Sequence, residues 1–271
     1  MSVLYIVATP IGNLEDITLR ALDTLRQVSL IAAEDTRRTK KLLNAYEIKT
    51  PLISYHEWSN EKRGEQIISR LAEGDVALVS DAGMPGIADP GFELTAAAIT
   101  TGIKVIPVPG PSVVVTALAV SGLPADRFVY PGFLPRKKEQ RKNLLKSLAR
   151  ESGSIVLLET PHRLQAALED IQEVLGNRRL AVCRELTKLH EEVFRGSVSR
   201  ALEHFTEPRG EFTLVIEGIV NQEKPQLTDD VENHLKDMKK SGMKAKDAIA
   251  EVVAKTGLSR KELYRSWLRL P

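Results

Sequence analysis

Leu4-Tyr5-Ile6-Val7-Ala8-Thr9 is a short apolar run that leads straight into the turn Pro10-Ile11-Gly12-Asn13-Leu14. Beyond the turn, Ile17, Leu19, Leu22, Leu25 and Val28 recur at a spacing that puts an apolar stripe on one helix. A strand, a turn and a helix in that order make the first half of a βα unit, and the alternation repeats downstream. Candidate strands are Leu4–Thr9, Leu30–Glu34, Leu52–His56, Val76–Ser80 and Val105–Val108, with further helical patterns over Thr39–Tyr46, Glu65–Ala72 and Phe92–Thr101. Strands separated by helices of this length predict a mostly parallel α/β sheet. In such sheets ligands sit beyond the carboxyl ends of the strands.

Three Gly/Pro-rich turns fall at such ends: Thr9–Leu14, the long Ser80-Asp81-Ala82-Gly83-Met84-Pro85-Gly86-Ile87-Ala88-Asp89-Pro90-Gly91, and Pro107–Ser112. Glycine lets a backbone approach a ligand closely and proline fixes the turn against it. Any one of them reads equally as a surface turn; together they predict a ligand cradle built largely of main chain. The dinucleotide fingerprint G-x-G-x-x-G and the P-loop are both missing, which disfavours an NAD enzyme or a nucleotide hydrolase. There is no H-E-x-x-H helix and no G-x-S-x-G elbow, and the five histidines show no metal-ligand spacing, so no metal is expected.

Past Ser121-Gly122-Leu123-Pro124, a plausible boundary, a second α/β unit with a more mixed sheet is expected. Its strands are Phe128–Phe133, Ile155–Glu159, Leu180–Leu186 and Phe212–Glu217; its helices are Glu139–Arg150, His162–Leu175 and a stretch around Ser197–Phe205. Glu223-Lys224-Pro225-Gln226 reads as a linker into a helical tail opened by Thr228-Asp229-Asp230. In that tail Ala245–Lys255, a turn at Thr256-Gly257 and Ser259–Leu270 make a helix, turn and helix, with Ser259 and Glu262 spaced as a capping box. The expected domains are therefore 1–121, 122–222 and 226–271.

The chain has 271 residues, 42% apolar and 27% charged, enough for at least one sizeable core and too apolar for disorder. The longest apolar run, Val113 to Val120, is broken by Thr116 and is far too short to span a bilayer, and the N-terminus does not read as a signal peptide. Cys183 is the only cysteine, so no intrachain disulfide can form. A cytoplasmic location is expected. The 38 basic and 36 acidic residues nearly cancel to +2, but they are unevenly spread. Arg136, Lys137, Lys138, Arg141, Lys142, Lys146 and Arg150 stand against Glu139 alone, and the tail from Val231 is also basic. Either run by itself reads as a solvated helix face; two of them favour a polyanionic partner.

Several of these segments resemble one family. Ala8-Thr9-Pro10-Ile11-Gly12-Asn13-Leu14-Glu15-Asp16, Ala33-Glu34-Asp35-Thr36-Arg37, the Ser80–Gly91 turn and Pro109-Gly110-Pro111-Ser112 are similar to the ribosomal RNA small subunit methyltransferase I family, of the tetrapyrrole-methylase-like (class III) methyltransferases. So are Thr160-Pro161-His162-Arg163-Leu164, Arg184-Glu185-Leu186-Thr187-Lys188 and Gly210-Glu211-Phe212, which brings the resemblance to roughly residues 3 to 220; the tail resembles the family's small helix-turn-helix module. Thr160 stands where the family usually has serine, and Val113 where it usually has alanine. The resemblance implies two α/β domains with a cofactor cleft between them, a homodimer, and methyl transfer from S-adenosyl-L-methionine to a cytidine 2′-hydroxyl in the decoding region of 16S ribosomal RNA, the family's target being cytidine 1402. It implies cofactor contacts at Pro10, Val79, Ser80, Asp81, Met84, Ser112 and Val113, and, from the second domain, at Leu158 or Glu159 and near Thr187.

A ribose hydroxyl is a poor nucleophile until its proton is shared, so a base belongs beside it. Glu34 and Asp35, at the end of the second strand, are the candidates, with Arg37 pairing one of them or holding a phosphate; the same residues read alternatively as the cap of the next helix. RNA contacts are expected from Arg136, Lys137, Lys138 and Arg141, from His162 and Arg163, and from Arg260 and Lys261 in the tail. The partner is then ribosomal RNA or the assembled 30S subunit, with no DNA or membrane. A tetrapyrrole methyltransferase, or an RNA-binding assembly factor without catalysis, are the competing readings.

Overall fold

The computed structural model describes residues 2–56, 61–219 and 227–270. Five strands, β1 (Val3–Val7), β2 (Leu30–Ala33), β3 (Leu52–Ser54), β4 (Val76–Val79) and β5 (Lys104–Val108), form a parallel sheet in the order β3-β2-β4-β1-β5. The period of two along each strand sorts their side chains onto two buried faces. Val7, Ile31, Ala33 and Val79 meet α1 (Leu19–Gln27) and α2 (Thr36–Ala45) through Leu22, Leu25, Leu42 and Leu43. Leu4, Ile6, Ala32 and Leu78 meet α3 (Glu61–Arg70) and α4 (Phe92–Thr100) through Ile67, Leu94 and Ala98. Helices on both faces are why β4, Val-Ala-Leu-Val, is buried at every position. The connection from β1 leaves toward β2 and that from β4 toward β5, on opposite sides. The neighbouring ends of β1 and β4 are therefore a topological switch point, where such sheets open a crevice.

The second sheet is mixed, as expected. Its order is β6-β7-β10-β8-β9, from β6 (Phe128–Phe133), β7 (Ser154–Glu159), β8 (Arg179–Arg184), β9 (Glu192–Ser197) and β10 (Phe212–Ile216). β6 and β7 run parallel, and β10 runs antiparallel to both β7 and β8. One face carries α6 (Lys138–Leu148), α7 (Pro161–Leu175) and α8 (Val198–His204) over a core that includes Leu145, Leu164, Leu168, Leu157 and Phe212. The other face is covered by α5 (Val113–Ser121), whose Val114, Ala117 and Leu118 pack on Val156, Ala181, Cys183 and Val215. Cys183 is 1% exposed, and burial pushes its thiol up to about 11.

Residues 227–270 belong to a second compact unit, distinct from the one that ends at Ile219. Its helices α9 (Asp229–Lys240), α10 (Ala245–Thr256) and α11 (Arg260–Arg269) enclose Leu235, Ile249, Val252, Leu263 and Trp267. The Lys239 ammonium donates to the Leu270 carbonyl at 2.6 Å and sits 5.9 Å over the Trp267 ring. Ser259 stands at the N-cap of α11, but its side chain accepts no helix N–H, so the expected capping box is not formed. The linker at Glu223–Gln226 lies outside the described residues. No helix among the described residues is long and apolar enough to cross a membrane.

One expected RNA contact is corrected by the packing. Arg141 is 7% exposed, and its Nε and Nη2 both reach Asp170 Oδ2, at 2.7 and 2.6 Å, tying α6 to α7. Its Nη1 also donates to the Arg136 carbonyl at 3.3 Å. A guanidinium held this way is part of the core and is withdrawn from any RNA surface. Removing one partner strands a buried charge, a loss of about 3–5 kcal/mol. Arg141→Ala should lower the urea midpoint accordingly while RNA affinity, measured well below the transition, stays within twofold. A stable variant with weakened RNA binding would restore Arg141 to the surface.

Candidate functional site

At the switch point the first two Gly/Pro turns are laced together. Thr9 and Gly83 exchange main-chain hydrogen bonds in both directions, at 2.9 and 3.0 Å, and the Thr9 hydroxyl donates to the Ser80 carbonyl at 3.0 Å. Ser80 is buried. One step to the side, the end of β2 is joined to the end of β4 by a reciprocal exchange. The Asp81 N–H donates to Glu34 Oε2 at 3.1 Å, and Asp81 Oδ1 accepts the Asp35 N–H at 3.0 Å. The other Asp81 oxygen lies 3.4 Å from Arg38 Nη1.

The two acids at the end of β2 part company here. Asp35 is the N-cap of α2: its Oδ1 accepts the Arg37 N–H at 2.8 Å, and its Oδ2 takes Arg37 Nη2 at 2.7 Å. The Arg37 guanidinium therefore holds the Asp35 carboxyl well below the usual carboxylate range. Asp35 and Arg37 are a helix cap and its exposed ion pair, the arrangement that the sequence offers as the alternative to a catalytic role. Glu34 has the opposite character. Burial raises its carboxyl, the Asp81 N–H offsets part of the rise, and the nearby charges of Asp89 and Asp81 add to it.

Asp89 was not singled out from the sequence, because Asp-Pro-Gly at the end of a long turn reads as turn chemistry. Burial raises its carboxyl too, and the charge of Asp81 adds to the rise. Tyr130 of β6 is raised by burial and by the charge of Asp89, which places a phenol from the second sheet within electrostatic reach of that one carboxylate. Glu34 and Asp89 line a cavity of about 840 Å³ that runs between α3 and α4 and includes Tyr55, Phe92 and Glu93. A smaller cavity of about 120 Å³ is lined by Thr9, Pro10, Ser80, Asp81 and Arg38.

The second half closes on the first through the segment after β8. Glu185 and Thr187 have φ of 50° and 68°, a left-handed conformation that non-glycine residues rarely take. They are held there: Glu211 N–H donates to Glu185 Oε1 at 2.8 Å, and Lys188 Nζ bridges Glu185 and Glu211 at 2.9 and 2.8 Å. Burial alone would raise the Glu185 carboxyl, but the Glu211 N–H and Lys188 outweigh it and leave it lowered. This knuckle presses against the first turn at Gly12, where a Cβ would fall 2.6 Å from Lys188 Cγ and 2.7 Å from Thr187 Oγ1.

Among the described residues, two buried oxygens in this half have no hydrogen-bond partner, Thr187 Oγ1 and Glu159 Oε2. Buried polar atoms are rarely left so, and a ligand is one of the few explanations. Ser112 stands at the N-cap of α5 without a side-chain bond to the helix, which leaves the first-turn N–H groups of Val113 and Val114 open. Main-chain donors, a hydroxyl and an accepting carboxylate oxygen together suit a ligand carrying an amine, a carboxylate and ribose hydroxyls.

The remaining expected contacts fall into three groups. Pro10, Ser80, Asp81 and Ser112 lie at the ends of the first sheet's strands, and Leu158 is half-buried on β7. Val79 packs into the core and offers only its main chain, while Met84 packs against the apolar layer around Leu78 and Leu94. Arg136, Lys137, Lys138 and His162 are exposed, as are Arg260 and Lys261 in the separate C-terminal unit. Arg163 is not free to reach out: Nε lies 3.3 Å from Glu159 Oε1 and Nη2 donates to the Leu134 carbonyl, so its assignment to RNA is corrected.

Residues 3–202 match the family described as Tetrapyrrole (Corrin/Porphyrin) Methylases. The chain is 48% identical to a "Ribosomal RNA small subunit methyltransferase I" of Synechocystis sp., with 100% of this chain and 99% of the relative aligned. It is 55% identical to a protein of the same name from Thermotoga maritima, over 80% of this chain and 99% of the relative. Among solved structures, diphthine synthase is similar with a TM-score of 0.63 over 80% of this chain and 90% of that one, and a uroporphyrin-III-C-methyltransferase of Thermus thermophilus with 0.55 over 80% and 94%. At 17% and 23% identity these two likenesses concern the fold alone.

The raised carboxyls predict a pH signature. An acid whose pKa is higher in the folded than in the unfolded state binds more protons when folded, so stability falls as pH rises from the ordinary carboxylate value through the raised one. Asp89→Asn removes that penalty. Its unfolding temperature should exceed the parent's at pH 7, and the gap should close below about pH 4. A gap that widens in acid would contradict the assignment.

Proposed function

Because the chain belongs to the ribosomal RNA small subunit methyltransferase I family of tetrapyrrole methylases, we propose that it transfers a methyl group from S-adenosyl-L-methionine to the ribose 2′-hydroxyl of a cytidine in 16S ribosomal RNA, cytidine 1402 being the expected target. The observation that carries this reading is a main-chain cradle at the switch point beside a half-buried carboxylate whose proton affinity is raised, Glu34. The cofactor would be held by the main chain of Pro10 and of Val79–Asp81, by the open N–H groups at Ser112–Val113, and by the two unpartnered oxygens of Glu159 and Thr187. When bound, it supplies a methyl group on a sulfonium, already activated for displacement.

The protein's share is to align the acceptor and take its proton. Glu34 is fixed through Oε2 by the Asp81 N–H, which leaves Oε1 for the ribose hydroxyl. Its raised proton affinity brings it closer to neutral pH, where a general base works best. Asp89 reinforces it electrostatically, and Tyr130 brings the second sheet to the same point. Exposed Arg136, Lys137, Lys138 and His162 grip phosphates, and Arg260 and Lys261 extend that grip in the C-terminal unit. The same reading has the enzyme working in the cytoplasm as a homodimer on ribosomal RNA or the assembled 30S subunit.

The test is transfer of labelled methyl from S-adenosyl-L-methionine into small subunits isolated from cells lacking the protein, followed by alkaline hydrolysis. Label in an alkali-resistant dinucleotide is expected, since 2′-O-methylation blocks cleavage; label in a tetrapyrrole precursor, with none in RNA, would overturn the reading. Glu34→Gln should reduce turnover at least about tenfold with cofactor affinity nearly intact. Near-normal turnover would remove Glu34 from the mechanism. The Thermotoga maritima relative is shorter by about the size of the C-terminal unit. A chain ending at Ile219 should keep cofactor binding and lose affinity for small subunits; unchanged affinity would refute the RNA role of the tail.

A further inference from the structure

The second sheet has an end remote from the cleft, where β8 begins at Arg179, β9 ends opposite it at Ser197, and α5 ends at Ser121. Between these ends lies a cavity of about 400 Å³ whose walls include Arg179, Arg195 and Arg200 and no carboxylate. Arg195 is locked by main chain: its Nε donates to the Val120 carbonyl at 3.0 Å, Nη2 donates to the same oxygen, and Nη1 lies 3.4 Å from the Val193 carbonyl. Carbonyls orient a guanidinium without neutralising it. Arg179 shares Glu217 at 3.2 Å with its side chain 67% exposed, and Arg200 is exposed with no ion pair among the described residues.

The walls are kept bare by two glycines. Gly122 caps α5 at φ +73°, and at Gly196 a Cβ would strike the Phe194 ring at 2.9 Å. The hydroxyls present are already engaged, Ser121 with the Leu118 carbonyl and the Leu123 N–H, and Ser197 with the first turn of α8. Recognition therefore falls to guanidinium groups, whose planar forks match the oxygens of a phosphate.

We propose that this arginine-walled pocket binds a backbone phosphate of the RNA substrate, a second anchor separate from the basic start of α6. The proposal rests on the ribosomal RNA reading above. β8 spans six residues at about 3.3 Å each, so a phosphate held here lies roughly 17 Å along the sheet from the end that carries Arg184 and the knuckle. It belongs to a part of the RNA remote from the reacting ribose, and it fixes the register in which that ribose is offered.

The experiment uses the full chain and the double variant Arg179→Ala/Arg200→Ala, two exposed side chains outside the cleft. Affinity for naked 16S ribosomal RNA and for small subunits is measured against salt concentration, alongside kcat, KM and unfolding temperature. The variant should bind both RNA forms about tenfold more weakly, with a salt dependence shallower by about one to two counterions, a raised KM and an unchanged kcat at saturation. A folded variant with unchanged affinity, salt slope and KM overturns the proposal while the parent still methylates RNA. A parent that neither binds nor methylates RNA overturns the function reading and this proposal with it. Two other outcomes also overturn it: a loss seen with assembled subunits but not with naked RNA marks a ribosomal protein contact, and a loss of inorganic phosphate binding with RNA affinity intact marks a free-anion site.

Discussion

The reciprocal hydrogen bonds between Asp81 and the Glu34–Asp35 pair hold the ends of β2 and β4 in register, and the cleft is organised around them. Bare carboxylates this close would repel one another. Here each of two acids accepts a main-chain N–H from the other's strand, and Arg38 and Arg37 neutralise the outer edge. Burial raises the carboxyls of Glu34 and Asp89, the charge of Asp81 adds to both, and Arg38 offsets part of the rise at Glu34. One arrangement thereby produces a stable strand junction and a carboxylate reluctant to give up a proton. Replacing the Asp81 side chain would free the Asp35 N–H, while the main-chain N–H that Glu34 accepts would remain.

The two halves of the cleft are built by different means. The first sheet presents laced turns and is rigid because main chain bonds to main chain, as between Thr9 and Gly83. The second presents Glu185 and Thr187 in left-handed conformations, kept there by Lys188, Glu211 and the close approach to Gly12. Strain of this kind persists only where its surroundings over-determine it. The Thr187 hydroxyl in that knuckle is buried and has no hydrogen-bond partner among the described residues.

Much of this was legible in the sequence, and the failures have physical causes. Parallel strands buried on both faces make unmistakable apolar runs, which is why β1, β2, β4 and their following turns stand out. α5 escaped because a helix wedged between the turns and the second sheet is apolar around most of its surface and shows no periodicity. β9, Glu-Val-Phe-Arg-Gly-Ser, escaped because an edge strand half-covered by a helix lacks a clean alternation. Charge was the least reliable guide. Arg141 sits in a basic run indistinguishable from its neighbours, yet it shares the buried stripe of α6 with Leu145 and reaches Asp170, while Lys138, at the start of the helix, stays in solvent. Burial, too, separated Glu34 from Asp35, a distinction that adjacency in the chain conceals.

Cys183 lies in the middle of the second sheet, under α5, with its thiol pushed to about 11. The thiolate is the reactive form, so burial and the raised pKa both slow attack on the Cys183 sulfur in the folded protein at neutral pH. The same sulfur becomes reactive once α5 lifts from the sheet. Because it is the chain's only cysteine, the rate at which it is trapped reports the opening of that one layer, without any engineered label. A cysteine placed elsewhere on the surface would, in turn, be the single site that a probe modifies in the native state.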